Sequence, residues 1–188
     1  MYRQYIKTWW TGIDLRYSSF TEQKNRQVVA QGVPALGSLS SFIKLINDEV
    51  RFKNEIVQLG DITHQRLIDY WWYEDRDSNI NKIPKSMFNL LSITAGDLIV
   101  ALEGTTIKGI CQMTKNAADS YEYHNAHNYA HTVGYPVKWL VWDKKIFGSA
   151  PIAPGQSVYG IRRLIKQRDY VISCWEKYKT IFPVTNAS

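Results

Sequence analysis

From Gly96 onward the hydrophobic pattern of this chain switches to strand-like runs, and that switch constrains the fold more than any other feature. Leu98 to Leu102 is a continuous β-branched and apolar run, Glu103-Gly104-Thr105-Thr106 supplies a turn, and Ile107 to Met113 is a second run, which together spell a β-hairpin. Lys115 to Asn128 is a long excursion crowded with Tyr and His. Tyr135 to Trp142 reads as a further strand, with Val137, Trp139 and Val141 on one face and Lys138, Leu140 and Trp142 on the other. Trp139 is expected to be buried, because a large aromatic residue on an apolar face is usually a packing residue.

The first half supplies the remaining elements. Tyr5-Ile6-Lys7-Thr8-Trp9-Trp10 reads as a strand ending at Thr11-Gly12, and Gln27-Val28-Val29-Ala30-Gln31 as a short second strand. Gly32-Val33-Pro34-Ala35-Leu36-Gly37 follows as a shaped, exposed loop, since Pro34 cannot donate to a ladder. Ser40 or Ser41 caps an expected helix carrying Phe42, Leu45 and Ile46 on one face. A second expected helix starts near Asp61 and aligns Leu67, Tyr70 and Trp71, and a third places Pro84 in its first turn with Met87, Leu90 and Leu91 inward. Residues 74–81 read as a polar loop between the two, Gly148 to Gly155 as a Pro/Gly loop, and a closing helix lines up Val171, Trp175 and Tyr178. Strands and helices mixed in this way predict an α+β fold, a curved mixed sheet or open β-barrel surrounded by helices. Residues 1–165 are expected to form the main domain, with 166–188 a C-terminal helix and tail that can lead to a further domain.

Composition narrows the function. At 188 residues the chain can bury a sizeable core without staples. Lys and Arg number 23 against 17 Asp and Glu, a formal charge of +6 that favours an anionic partner. The two cysteines, Cys111 in an expected strand and Cys174 on the apolar side of an expected helix, read as buried, reduced thiols of a cytoplasmic protein. No run is apolar enough to suggest a membrane span. There is no phosphate-binding Gly-Lys-Ser/Thr loop, nucleophile elbow, deaminase cysteine pair or His-Asn-His nuclease pattern, so the expectation is a binding domain without catalytic residues or cofactor. His124, His127 and His131 could ligate a metal if their segment were helical, but a closed zinc site wants four ligands, and rim or core histidines are the simpler reading.

The Trp-containing first strand, the loop Gly32-Val33-Pro34-Ala35-Leu36-Gly37-Ser38-Leu39-Ser40, the Gly96-Asp97 start of the hairpin, and Tyr129-Ala130-His131 ahead of Trp139-Leu140-Val141-Trp142 resemble the EVE domain of the PUA-like superfamily, which also holds the YTH readers of modified bases. The resemblance spans Tyr5 to Arg163 and rests on the order and spacing of these segments. It implies a PUA-like module that takes a flipped, modified base, methylated or hydroxymethylated cytosine foremost, into an aromatic slot in DNA. Such modules often serve a modification-dependent restriction system, with any nuclease activity in a fused or associated domain; RNA is the alternative polymer, and a protein-interaction module and a cryptic hydrolase using His127 or His131 are the alternatives outside nucleic-acid recognition. Family members carry an aromatic residue directly after the glycine that corresponds to Gly32, and this chain has Val33, so either another ring forms the slot or base recognition is weakened.

The candidate base pocket is therefore Trp10, Gly32, Val33, Pro34, Trp72, Tyr73, Tyr121, Tyr123 and Tyr129, and the candidate phosphate contacts are Lys115, Arg162, Arg163, Lys166 and Arg168. Stacking a base on an aromatic ring recovers about 1–3 kcal/mol, which helps to offset the few kcal/mol that extraction costs. Each of these aromatic residues has a packing role as its plainer reading, and each basic residue a solvated one.

Overall fold

The computed structural model describes residues 8–12, 19–32, 34–66, 76–103, 106–125, 129–147, 158–160 and 165–181. Over these the chain is α+β. The strands are β1 (Thr8–Gly12), β2 (Val29–Gln31), β3 (Leu98–Glu103), β4 (Thr106–Gln112), β5 (Glu122–Tyr123), β6 (His131–Val133), β7 (Leu140–Val141) and β8 (Val158–Gly160). The helices are α1 (Phe20–Arg26), α2 (Glu49–Arg66), α3 (Arg76–Leu91), α4 (Lys144–Phe147) and α5 (Ile165–Ile181).

Two sheets form among the described residues. The larger runs β7-β4-β3-β1-β8, and the smaller runs β2-β6-β5. β1 lies parallel to β3 while its other edge pairs antiparallel with β8, so the larger sheet is mixed, as the sequence predicts. The hairpin β3–β4 matches its expected position to within a residue, with an irregularity in register between Ala101 and Leu102. The turn residue Gly104 itself lies outside the described residues.

Alternation along β3 divides the interior. Ile99 and Ala101 face a core built with α1, α2, α3 and the smaller sheet, whereas Leu98, Val100 and Leu102 face Val171 and Trp175 of α5. The helix within 166–188 thus covers one face of the β3–β4 hairpin. Cys111 is fully buried in the first core and Cys174 is buried on α5, both as free thiols. Burial pushes the Cys111 thiol well above its ordinary value.

Several elements differ from the sequence reading. Residues Ser40–Leu45 form a 3-10 turn, not an α-helix; its N–H groups reach three residues back, as from Phe42 to Leu39, and neither serine caps it. The following helix starts at Glu49, capped by Asp48 through a 3.0 Å bond from the Arg51 N–H, so Asp61 is an interior residue of α2. Leu67, Tyr70 and Trp71 lie outside the described residues. α3 begins at Arg76 within the expected polar loop, and Pro84 sits inside the helix; Ile83, Met87, Leu90 and Leu91 are buried along the same helix and hold it against the core. The expected strand Tyr135 to Trp142 shrinks to β7 because its earlier polar groups bond elsewhere: the Val137 N–H reaches the Gln27 carbonyl and Trp139 Nε1 donates to the Val28 carbonyl at 2.7 Å. Val137 and Trp139 are buried, but Val141 is 55% exposed on the edge strand, and Leu140 packs toward α5 with Trp142 beside it. α1 is an addition to the sequence reading; Ser19 caps it through the Glu22 N–H at 3.1 Å, and Gln27 ends it in the left-handed region at φ 58°. The Pro/Gly loop within 148–155 lies outside the described residues.

Candidate nucleic-acid interface

The small sheet organises the candidate site. His131 pairs with Gln31 of β2 on one side and with Tyr123 of β5 on the other, and the alternation of the strands puts Val29 and Val133 further along the same face. Val29 and Val133 belong to the core, so this face continues from packed hydrocarbon to a polar and aromatic rim at Gln31, His131 and Tyr123. The opposite face carries Ala30 and Thr132, and Gln23 of α1 satisfies the edge of β2 by accepting the Ala30 N–H at 3.0 Å.

Two tyrosine hydroxyls fasten the loop after β2 to this rim. Tyr123 donates to the Pro34 carbonyl at 2.9 Å. Tyr121 accepts the Leu39 N–H at 2.9 Å and lies 2.8 Å from His131 Nδ1, with its ring stacked on the imidazole at a centroid distance of 6.0 Å. Burial pushes the Tyr121 phenol up to about 12 against the counteracting bonds from Leu39 and Ser38. His131 is fully buried.

Tyr129 stands at the outer edge. The Arg26 guanidinium lies over its ring, 3.7 Å from the centroid, and also donates to its hydroxyl, while the edge of the His124 ring approaches at 6.2 Å. His124 is itself held by Thr132 Oγ1 at 3.1 Å and the Glu122 carboxylate at 3.5 Å. Arg26 thus joins the site as a residue that the sequence places only among the general basic groups; its signal is its place in the last turn of a helix capped by Ser19-x-x-Glu22.

Of the candidate pocket residues, Pro34, Tyr121 and Tyr123 meet on the His131 side of the small sheet, Tyr123 reaching Pro34 across 89 residues of chain, and Gly32 follows β2 directly, whereas Tyr129 packs with Arg26 and with His124, whose ring is held by Thr132 of the opposite face. Trp10 lies on β1, an inner strand of the larger sheet, its backbone opposite Val100 and Tyr159, and its side chain is outside what the structure describes. Val33, Trp72 and Tyr73 lie outside the described residues, as do the phosphate candidates Arg162 and Arg163. Lys166 and Arg168 fall in the first turns of α5, where only the backbone is described, and Lys115 is exposed just beyond β4. Among the described residues no group of His, Cys, Asp and Glu is arranged to hold a metal ion. No described helix is long and apolar enough to cross a membrane.

Comparison of the chain with models of protein families, with curated protein sequences and with solved structures finds no match.

Proposed function

We propose that this protein is a PUA-like, EVE-type module that recognises a modified base in DNA by accepting it, flipped out of the helix, at the aromatic rim of β5 and β6, against Tyr129. One observation carries this reading. The loop from Gly32 to Ser40 and the segment Tyr129-Ala130-His131, on which the resemblance rests, are tied to one rim through Tyr121 and Tyr123. A slot for a flipped base needs its walls fixed before the base arrives, because ordering them on binding would consume the stacking gain. Hydroxyl ties from Tyr121 and Tyr123 to the loop backbone fix one side of the rim, and the Arg26 guanidinium over the Tyr129 ring fixes the other. Tyr129, on the Arg26 and His124 side of the small sheet, is the wall in this proposal, since Tyr121 and Tyr123 are committed to holding the loop on the other side.

The chain then acts as a specificity module needing no cofactor, with any cleavage of DNA carried out by another domain or subunit. The test is a titration of matched oligonucleotides, unmodified or bearing 5-methylcytosine, 5-hydroxymethylcytosine or 6-methyladenine, as DNA and as RNA. Tighter binding of a cytosine-modified DNA is expected, and Tyr129→Ala should remove about 1–3 kcal/mol of that binding with the fold intact. Equal affinity across the panel would sink the reading, and preference for a modified RNA would move it to the other polymer.

A further inference from the structure

Beyond the aromatic rim, the far side of the molecule presents a basic face. Lys144 and Lys145 lie on α4 and Lys177 on α5, all three exposed and none in an ion pair among the described residues. Lys177 Nζ donates to the Ile146 carbonyl at 3.1 Å, which brings the α5 ammonium to the end of α4. The Tyr170 hydroxyl donates to the neighbouring Phe147 carbonyl. Two of the carbonyls that end α4 are therefore capped from α5, and the two helices present their lysines as one fixed surface.

Aromatic rings accompany the charge. Trp142 contacts Phe147 at a centroid distance of 4.9 Å, and Phe147 stacks on Tyr178 at 6.0 Å; Trp142 and Tyr178 are each partly exposed. Among the described side chains of α4, its capping residue and α5, lysines outnumber carboxylates, with Lys144, Lys145, Lys177 and Lys179 against Asp143, Asp169 and Glu176. Asp143 is occupied in starting α4, where its Oδ1 accepts the Lys145 N–H at 2.7 Å, and Glu176 is paired with Lys179 at 2.9 Å. Exposed ammonium groups on a rigid support, interleaved with partly exposed rings, match a sugar-phosphate backbone in charge and in surface.

We infer that the α4–α5 face is a second docking surface for the phosphate backbone of the nucleic acid that the protein binds. The inference rests on the reading of the protein as a nucleic-acid binder, and it places phosphate contacts on residues separate from the base slot. Lys144, Lys145 and Lys177 neutralise phosphates there, independent of the base identity.

The experiment measures the salt dependence of binding for the full chain on the matched modified and unmodified DNA. Each phosphate contact contributes a slope of about −0.9 to log K against log salt. Lys144→Gln with Lys145→Gln should make the slope shallower by as much as about 1.8. The corresponding Lys→Arg pair should keep the original slope, and the modified-to-unmodified affinity ratio should stay as in the unaltered chain. This double variant leaves Lys177 and its bond to α4 untouched, so a cooperative melting curve like that of the parent is expected. A parental slope in the Gln pair overturns the inference whatever the base preference. An affinity ratio of one in the parent overturns the slot and leaves the slope to decide the face. Absence of salt-dependent binding in the parent overturns both.

Discussion

Tyr121 joins the Leu39 backbone to the His131 ring through one hydroxyl, and removing that oxygen exposes what it does. In Tyr121→Phe the Leu39 N–H and His131 Nδ1 both lose a partner, next to side chains fully shielded from water. An unsatisfied buried donor costs about 1–3 kcal/mol, so the urea midpoint should fall clearly. Tyr123→Phe frees only the carbonyl of partly exposed Pro34, which water can reach, and should cost no more than about 1 kcal/mol. Equal losses would mean that the Leu39 tie carries no special weight. The sequence made these tyrosines legible as binding candidates, because aromatic residues crowd a long loop. Their division into braces and wall was not legible: it depends on which hydroxyl meets a backbone group more than eighty residues away. His131 shows the same limit, since its spacing from His124 suggested a metal while its depth is decided by β2 and β5 on either side.

At the scale of elements, the hairpin was readable because β-branched runs flanking a Gly-containing turn have few alternative folds, and α5 was readable because its apolar stripe recurs at helical spacing. The start of α2 was not, as Asp48 and Asp61 carry equal capping chemistry and only packing of Phe52 and Ile56 selects the first. Residues 135–139 were misread as a ladder because nothing local announces that their bonds go to the α1–β2 junction. Two tryptophans buried among the described residues test how such elements are held. Trp139 Nε1 donates to the Val28 carbonyl, whereas Trp175 Nε1 on α5 has no partner among the described residues. Both lose ring volume on conversion to Phe, but only Trp139→Phe abandons a buried carbonyl. Trp139→Phe should therefore destabilise by about 1–3 kcal/mol more than Trp175→Phe in paired urea titrations. A larger loss at Trp175 would show that shape at the α5 interface outweighs hydrogen bonding at the β2 junction.

The whole molecule responds to alkali through both of its cores. Burial raises the phenols of Tyr121 and Tyr170 to about 12, the latter with help from the Cys174 thiol beside it, and burial likewise raises Tyr178, Cys111 and Cys174. All five are neutral-form preferences of the folded chain. Their contribution is complete below the unfolded values, about 8.5 for a thiol and about 10 for a phenol, and is lost as pH rises toward the folded ones. Stability measured by urea should thus decline steadily from about pH 8 to pH 12, with tyrosinate absorbance appearing together with unfolding. Constant stability over that range would contradict the burial of these groups.

The placement of β1 between β3 and β8 also sets a timetable. A ribosome that has released Trp10 can offer it a neighbour once Val100 emerges, yet Tyr159, its partner on the other edge, is still to be made. At about 5–20 residues per second the nascent strand waits several seconds with one edge bare, the interval in which an unpaired edge invites another chain. Protection of that edge during synthesis is therefore a demand that the topology places on the cell and that the finished fold no longer displays.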